Sequence, residues 1–259
     1  MAPGVRGSIE VAHLGPVCSI ELNKPPLNII DIAMMQEMQV ALQEADANLD
    51  IRVIVFRGGG PKAFSAGVSI QDHAPDRIEE MIRCFHGIFR QLARTEKVTL
   101  AVVHGHCLGG GFELASMCDL VVASEDARFG QPEIKLGQLA PVGVILLPHL
   151  IGYRKAAELL LTGNTLNAEQ AQALGLVNRL ASPEQLSQCT EELLRELLAQ
   201  SGSALRLTKM ILRRVAGLDF ERALGESEEF FLQTLAKTED AKEGVAAFLE
   251  KRAPHWTNR

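Results

Sequence analysis

Apolar and polar residues alternate through SIEVAH and again through VCSIEL, with Leu14-Gly15-Pro16 between the two runs. A period of two across a glycine-proline break predicts a β-hairpin. The spacing then lengthens. Asp31 precedes MMQEMQVALQEADA, whose apolar positions recur every three or four residues, and it is placed to cap a helix. RVIVFRG is a short, nearly continuous apolar run ending in glycine, the pattern of a strand covered on both faces. The stretch GGPKAFSAGVSIQDHAP reads as a loop leading to a helix from about Asp76 to Thr95. LAVVHG and DLVVAS repeat the buried-strand pattern, and between them a glycine run opens into FELASM, which reads as a helix. Strands alternating with helices predict βαβ units and a mostly parallel sheet.

Beyond Pro141 the pattern becomes helical: VILLPHLI, RKAAELLLTG, AEQAQALG, PEQLSQCTEELLRELLA, ALRLTKMILRRVA, FERALGESEEFFLQTLA and EDAKEGVAAFLEKR. No repeat, low-complexity tract or linker interrupts the chain. The pattern divides it into an α/β core over residues 1–195 and a helical region over 196–259, free to pack on its own core or on another subunit.

Composition narrows the function. Of 259 residues, 47% are hydrophobic and 22% charged, enough for a sizeable core. Aromatic residues are 5% and the net charge is −6, which weighs against nucleic acid and anionic membrane surfaces as partners. Five cysteines form no CxxC pair and read as reduced thiols of a cytoplasmic protein. The N-terminal MAPGVRGSIEV lacks the apolar core of a secretory leader, and no apolar run approaches a membrane span.

The candidate chemistry centres on HCLGGGFELASMCD, 106–119. Neither this stretch nor Gly58-Gly59-Gly60-Pro61-Lys62 completes a phosphate-binding GxxxxGK[ST] or GxGxxG motif. The glycines allow a tight strand-to-helix turn, and there the first amides of a helix lack partners and face a positive dipole end. Such amides stabilise an oxyanion. A second amide-bearing turn is expected at Phe64-Ser65-Ala66-Gly67-Val68, after another buried strand. Glu113 lies about one turn into the glycine-started helix, and Glu133 stands in FGQPEIKLG, where Pro132 argues against a strand or helix interior. Two carboxyls in apolar surroundings can divide acid and base roles. His73 sits in the first site loop and can shape a pocket, whereas His104 and His106 form only half a metal site with no third ligand near, so no metal is expected.

FSAG, GHCLGGGFELASMCDLVVAS and ARFGQPEIKLG together resemble the crotonase (enoyl-CoA hydratase/isomerase) superfamily over essentially the whole chain. The resemblance implies an α/β spiral of repeated ββα units with a helical C-terminal region used for trimerisation, in trimers or dimers of trimers. It implies an acyl-CoA thioester as substrate, with no cofactor besides that coenzyme A. By position, the Val68 and Gly110 amides would form the oxyanion hole. Lys62, Ala66, Val68, Ser69, Ile70, Gln71, Phe248 and Lys251 would contact CoA, the last two on a neighbouring subunit. Glu113 and Glu133 match the two hydratase glutamates, and retention of both points to hydration. A double-bond isomerase using Glu133 alone and a non-catalytic CoA- or RNA-binding relative are the alternatives.

Two departures bear on substrate. The usual AGAD reads Ala66-Gly67-Val68-Ser69, and the segment that lines the acyl end in the superfamily reads QLAPVGVILLP, with Pro141 and bulky Val142, Val144 and Ile145; by this resemblance Leu139, Pro141 and Val142, with His73, are the acyl-pocket candidates. Within the superfamily these features, with LNIIDIAMM and FLEKRAPHWTNR, are most similar to the cyclohexa-1,5-diene-1-carbonyl-CoA hydratases of anaerobic aromatic degradation.

Overall fold

The computed structural model describes residues 4–259; residues 1–3, part of the N-terminal stretch read above for a leader, lie outside it. Strand β1 (Gly4–Arg6) pairs antiparallel with β2 (Ile9–Leu14), which forms the expected hairpin with β3 (Val17–Leu22), Leu14 opposite Val17. Helix α1 (Ile32–Ala47) starts at Asp31, whose side chain accepts the Met34 N–H at 3.0 Å. A cap of this kind is worth about 1 kcal/mol. Strand β4 (Val53–Gly58) returns parallel to β3.

The chain next repeats one course three times. Strand β4 is followed by β5 (Ala63–Ser65) and helix α2 (Ile78–Arg94); β6 (Val98–Val103) by β7 (His106–Leu108) and α3 (Gly110–Met117); β8 (Leu120–Ser124) by β9 (Arg128–Gly130) and α4 (Gly143–Ile151). Helix α5 (Tyr153–Thr162), β10 (Thr165–Asn167), α6 (Ala168–Ala173) and β11 (Arg179–Ala181) follow. One sheet has the order β1-β2-β3-β4-β6-β8-β11 and the other β10-β9-β7-β5, so every turn leaves one strand in each. This is a spiral of ββα turns.

Strands β5, β7 and β9 went unread in the sequence because three residues are too few to show a period. Each turn bends sharply between its two strands. Gly105 takes φ +54°, and a Cβ there would lie 2.1 Å from the Lys62 carbonyl oxygen, so a side chain is excluded both by conformation and by space.

Helix α2 shows how the core is held. Met81, Phe85, Ile88, Phe89 and Leu92 form its buried face, with the Phe85 and Phe89 rings edge to face at 4.9 Å. Truncating a buried phenylalanine of this type costs about 3–5 kcal/mol.

The chain forms two compact units: residues up to Thr95 with Thr99–Glu191, and Glu96–Val98 with Glu192–Arg259. Helix α7 (Leu186–Leu198) spans the boundary. The second unit holds α8 (Gly202–Val215), α9 (Phe220–Gln233) and α10 (Glu239–Leu249). Its C-terminal tail is tied down by buried Asp240, which accepts the N–H groups of Thr257 and Asn258 and the Ser201 hydroxyl. Trp256 adds an indole N–H bond to the Ala199 carbonyl at 2.9 Å. Among the described residues no helix is long and apolar enough to cross a membrane.

Candidate active site

Two turns of the spiral meet where β5 and β7 end. Gly67 takes φ +104°, and a Cβ on it would lie 3.5 Å from the Gly110 nitrogen and 3.6 Å from the Gly109 Cα, so the two loops touch backbone to backbone. Beyond Gly67 the chain bridges to Ile30: Ile30 donates to the Gly67 carbonyl and Ser69 donates to the Ile30 carbonyl, each at 2.9 Å. In extended backbone successive N–H groups alternate sides, so the Val68 amide points away from Ile30. Gly110 is the first residue of α3, where no carbonyl one turn back can take its N–H. Val68 and Gly110 both line a cavity of about 870 Å³ in the first unit.

Both glutamates line the same cavity. Glu113 is buried, one turn into α3, and its Oε1 accepts the N–H groups of Val142 and Gly143 at 2.8 Å each. Those donors are the N-cap and the first residue of α4, so one helix start anchors the carboxyl and Oε2 is left for other partners. Burial pushes the Glu113 carboxyl up to about 7; the Gly143 and Val142 N–H groups pull it down, and the charge of Glu133 pushes it up.

Glu133 is the second residue of a 3-10 turn, Pro132–Leu136. Pro132 occupies its first position, where the missing N–H does no harm. It therefore starts the turn that presents Glu133, a role that its exclusion from element interiors did not reveal. Burial raises the Glu133 carboxyl, while its own backbone N–H and the nearby His73 lower it. With its amide nitrogen turned toward the site, buried Gln131 donates to the two Glu133 oxygens at 3.0 and 3.1 Å.

His73 closes a second 3-10 turn, Ile70–His73. Its Nδ1 lies 2.9 Å from the Ser69 carbonyl, which only accepts, so Nδ1 carries a proton. The turn is pinned by buried Asp72, which accepts the Ile32 N–H at 3.0 Å and pairs with Arg77 at 2.9 Å.

The cavity brings together Ala66, Val68, Ser69, Ile70, Gln71, His73, Gly110, Glu113, Glu133, Leu139 and Pro141. Val142 stands off its wall: the side chain packs in the core, and only its amide reaches the site. Lys62 is exposed outside the lining, and Phe248 and Lys251 are exposed in the second unit. His104 is engaged by the Gly60 carbonyl at 2.8 Å, and no group of three metal-ligating side chains forms among the described residues.

Sequence reading missed Lys24 and Asp31, an ion pair on the cavity wall, and the α2 face of Ile78, Met81, Ile82, Phe85 and His86. The helical period of α2 was visible, but not that part of its face meets a void. Gln131 was also missed, although its place two residues before Glu133 is the one signal for it.

The raised Glu113 carboxyl has a consequence for stability. Between pH 4.5, the ordinary value, and about 7 the folded chain keeps a proton that the unfolded chain has released. Stability therefore falls as pH rises through that window, by up to roughly 3 kcal/mol. Glu113→Gln is expected to melt above the wild type at about pH 8 and level with it near pH 4.5. Parallel thermal scans at the two pH values check this, and an equal offset at both would contradict it.

The paired carboxyls, the converging amides and the spiral together define a family. The enoyl-CoA hydratase/isomerase family matches residues 14–259, and the chain belongs to it. It is an enzyme of the enoyl-CoA hydratase type. Cyclohexa-1,5-dienecarbonyl-CoA hydratase of Thauera aromatica is 34% identical over 247 residues, covering 95% of this chain and 94% of that protein. A probable enoyl-CoA hydratase of Mycobacterium bovis is 39% identical, covering 93% of this chain and 94% of its own. The crystal structure of an enoyl-CoA hydratase subunit from Geobacillus kaustophilus superposes with a TM-score of 0.90 at 39% identity, covering 97% and 98%.

Proposed function

We propose that the enzyme adds water across the conjugated double bond of an enoyl-CoA or dienoyl-CoA thioester, with Glu113 and Glu133 as the acid–base pair. The carrying observation is that both carboxyls share one cavity with the Val68 and Gly110 amides. Attack at Cβ drives electrons onto the thioester oxygen, and two fixed amides with a helix start stabilise that charge. Water is a poor nucleophile, so Glu113, held by Val142 and Gly143 with its carboxyl near neutrality, takes a water proton as the new C–O bond forms. Glu133, disposed toward its protonated form by burial, gives its proton to Cα. Transfer of the proton from Glu113 to Glu133 resets the pair, and the sum is one water added.

Coenzyme A is bound here as part of the substrate, along Ala66 and the Val68–Gln71 turn, with Lys62 near its phosphates. Phe248 and Lys251 reach the CoA of a neighbouring subunit in a trimer or a dimer of trimers. In support of assembly, the second unit exposes Phe220, Phe231, Leu232, Phe248 and Leu249. Light scattering is expected to give a mass of three or six chains, and a monomer at micromolar concentration would remove these two residues from the site.

For the acyl group we favour a cyclic diene. The relative from Thauera aromatica carries that substrate in its name, and the bulky Leu139 and Pro141 line this cavity. A panel of straight-chain and cyclic enoyl-CoAs, followed by loss of the conjugated thioester's absorbance, tests both levels. Turnover of crotonyl-CoA but no cyclic diene removes the ring, and turnover of neither removes hydration.

A further inference from the structure

The turn that carries the Val68 amide is held through its successive N–H groups. Ala66 donates to the Leu27 carbonyl at 2.9 Å, Gly67 to the Ser65 hydroxyl at 3.1 Å and Ser69 to the Ile30 carbonyl at 2.9 Å. The Val68 N–H, between the last two, is the one of these four without a hydrogen-bond partner among the described residues. Of the three acceptors, only Ser65 offers a side chain.

Ser65 ends β5 and is fully buried, where a hydroxyl costs free energy unless it is paired. Its hydroxyl is used in both directions: it donates to the Asn28 carbonyl at 2.8 Å while it accepts Gly67. Asn28 is itself a fixed reference. Buried and at φ +50°, it donates through its side chain to the carbonyls of Gly59, Ala63 and Phe64 at 2.9, 2.8 and 3.2 Å. Its Oδ1 accepts the Lys24 N–H at 3.0 Å. On its other side Ser65 meets the second donor loop, where a Cβ on Gly111 would lie 2.7 Å from the Ser65 Cβ. One side chain therefore stands between the rigid Asn28 and both turns that present amides.

We propose that Ser65 is a positioning residue for the reaction: its hydroxyl ties the Gly67 amide to Asn28 and so aims the next amide, that of Val68, at the thioester oxygen. The proposal rests on the reading of Val68 and Gly110 as the oxyanion donors. Without the hydroxyl, the Gly67 N–H and the Asn28 carbonyl are left buried and unpaired, and the turn rotates to relieve them. A donor stabilises developing charge only where it is fixed in advance. Rotation of the Gly67–Val68 peptide moves that donor while the carboxyls of Glu113 and Glu133 keep their own partners.

The test follows the thioester carbonyl itself. Butyryl-CoA and benzoyl-CoA, which have no double bond open to hydration, carry a heavy-carbon label at that carbonyl. Infrared difference spectra read its stretch free and bound to the full-length protein, per bound molecule, so partial misfolding cancels. On the wild type the stretch is expected to move to lower frequency. Ser65→Ala is expected to lose most of that displacement, with kcat falling roughly tenfold or more and KM staying within about twofold. Ser65→Cys, whose thiol bonds weakly at the same place, is expected to fall between, and it carries the test if Ser65→Ala does not fold. Ser124→Ala is the control, because Ser124 is equally buried but its hydroxyl has no partner among the described residues. It is expected to match the wild type. A wild-type displacement in a folded Ser65 variant overturns the proposal even where kcat falls, since the loss is then structural. An unshifted carbonyl on the wild-type protein would instead remove Val68 and Gly110 as oxyanion donors, and the proposal with them.

Discussion

Replacing either cavity glutamate by glutamine is expected to lower kcat by about 10²-fold or more, the scale of a lost acid–base contribution. The substitution isolates proton transfer from geometry. At residue 113 a glutamine Oε1 can still accept the Val142 and Gly143 N–H groups that now bond at 2.8 Å, so the α3 and α4 starts stay joined. What disappears is a group able to take a proton near neutral pH, where burial now holds the Glu113 carboxyl. At residue 133 the amide keeps its place beside Gln131 but delivers no proton. A loss confined to transition-state interactions lowers kcat and kcat/KM together and leaves KM nearly unchanged. Because the two groups act as a unit, the double variant should fall little below the worse single one. Steady-state kinetics on crotonyl-CoA or a cyclic dienoyl-CoA reads all three variants. Intact turnover in Glu113→Gln with a collapse in Glu133→Gln would transfer the chemistry to Glu133 alone, as in a double-bond isomerase.

The long elements of the fold were legible because each carries a full period of its pattern. The hairpin turn at Gly15-Pro16, the Asp31 cap and the buried runs of β4, β6 and β8 lie where alternation and continuity put them. The smaller sheet was invisible for a physical reason. Its strands are three residues long and take their register from neighbours on other turns, as when His106 and Cys107 pair with Arg128 and Phe129. Such information is spread over distant segments and leaves no local trace.

The same division holds for the site. Glu113 stands out in sequence because a charge inside an apolar helix start needs a reason, and Glu133 because it follows a proline in apolar company. His86 does not, since one polar residue on an amphipathic helix is ordinary until the helix is seen to wall a cavity. Val142 shows the converse. Its bulk suggested a lining residue, whereas its side chain went to the core and its amide to Glu113.

Gly109→Ala is expected to impair both stability and turnover. Gly109 takes φ +52° and ψ −128°, a region essentially closed to residues with a Cβ, and forcing alanine there costs about 1–3 kcal/mol. Its neighbours remove the alternative of relaxing. Its N–H is committed to the Gly130 carbonyl and its carbonyl to the Glu113 N–H, each at 2.9 Å, so the backbone is held from both sides. A Cβ would also lie 2.8 Å from Glu133 Oε1, which must yield by several tenths of an ångström. Strain then falls on the two groups the reaction needs together: the Gly110 amide rotates with its neighbour, and Glu133 is pushed from Gln131. Misplacement on this scale costs on the order of 10²-fold in rate. Gly175→Ala serves as the control, because Gly175 has φ +82° but open space around its Cβ. That variant is expected to lose about 1–2 kcal/mol of stability and to keep the wild-type kcat per folded molecule. Thermal denaturation and kcat measured on both proteins separate the effects, and wild-type turnover in folded Gly109→Ala would mean that the glycine run only turns the chain.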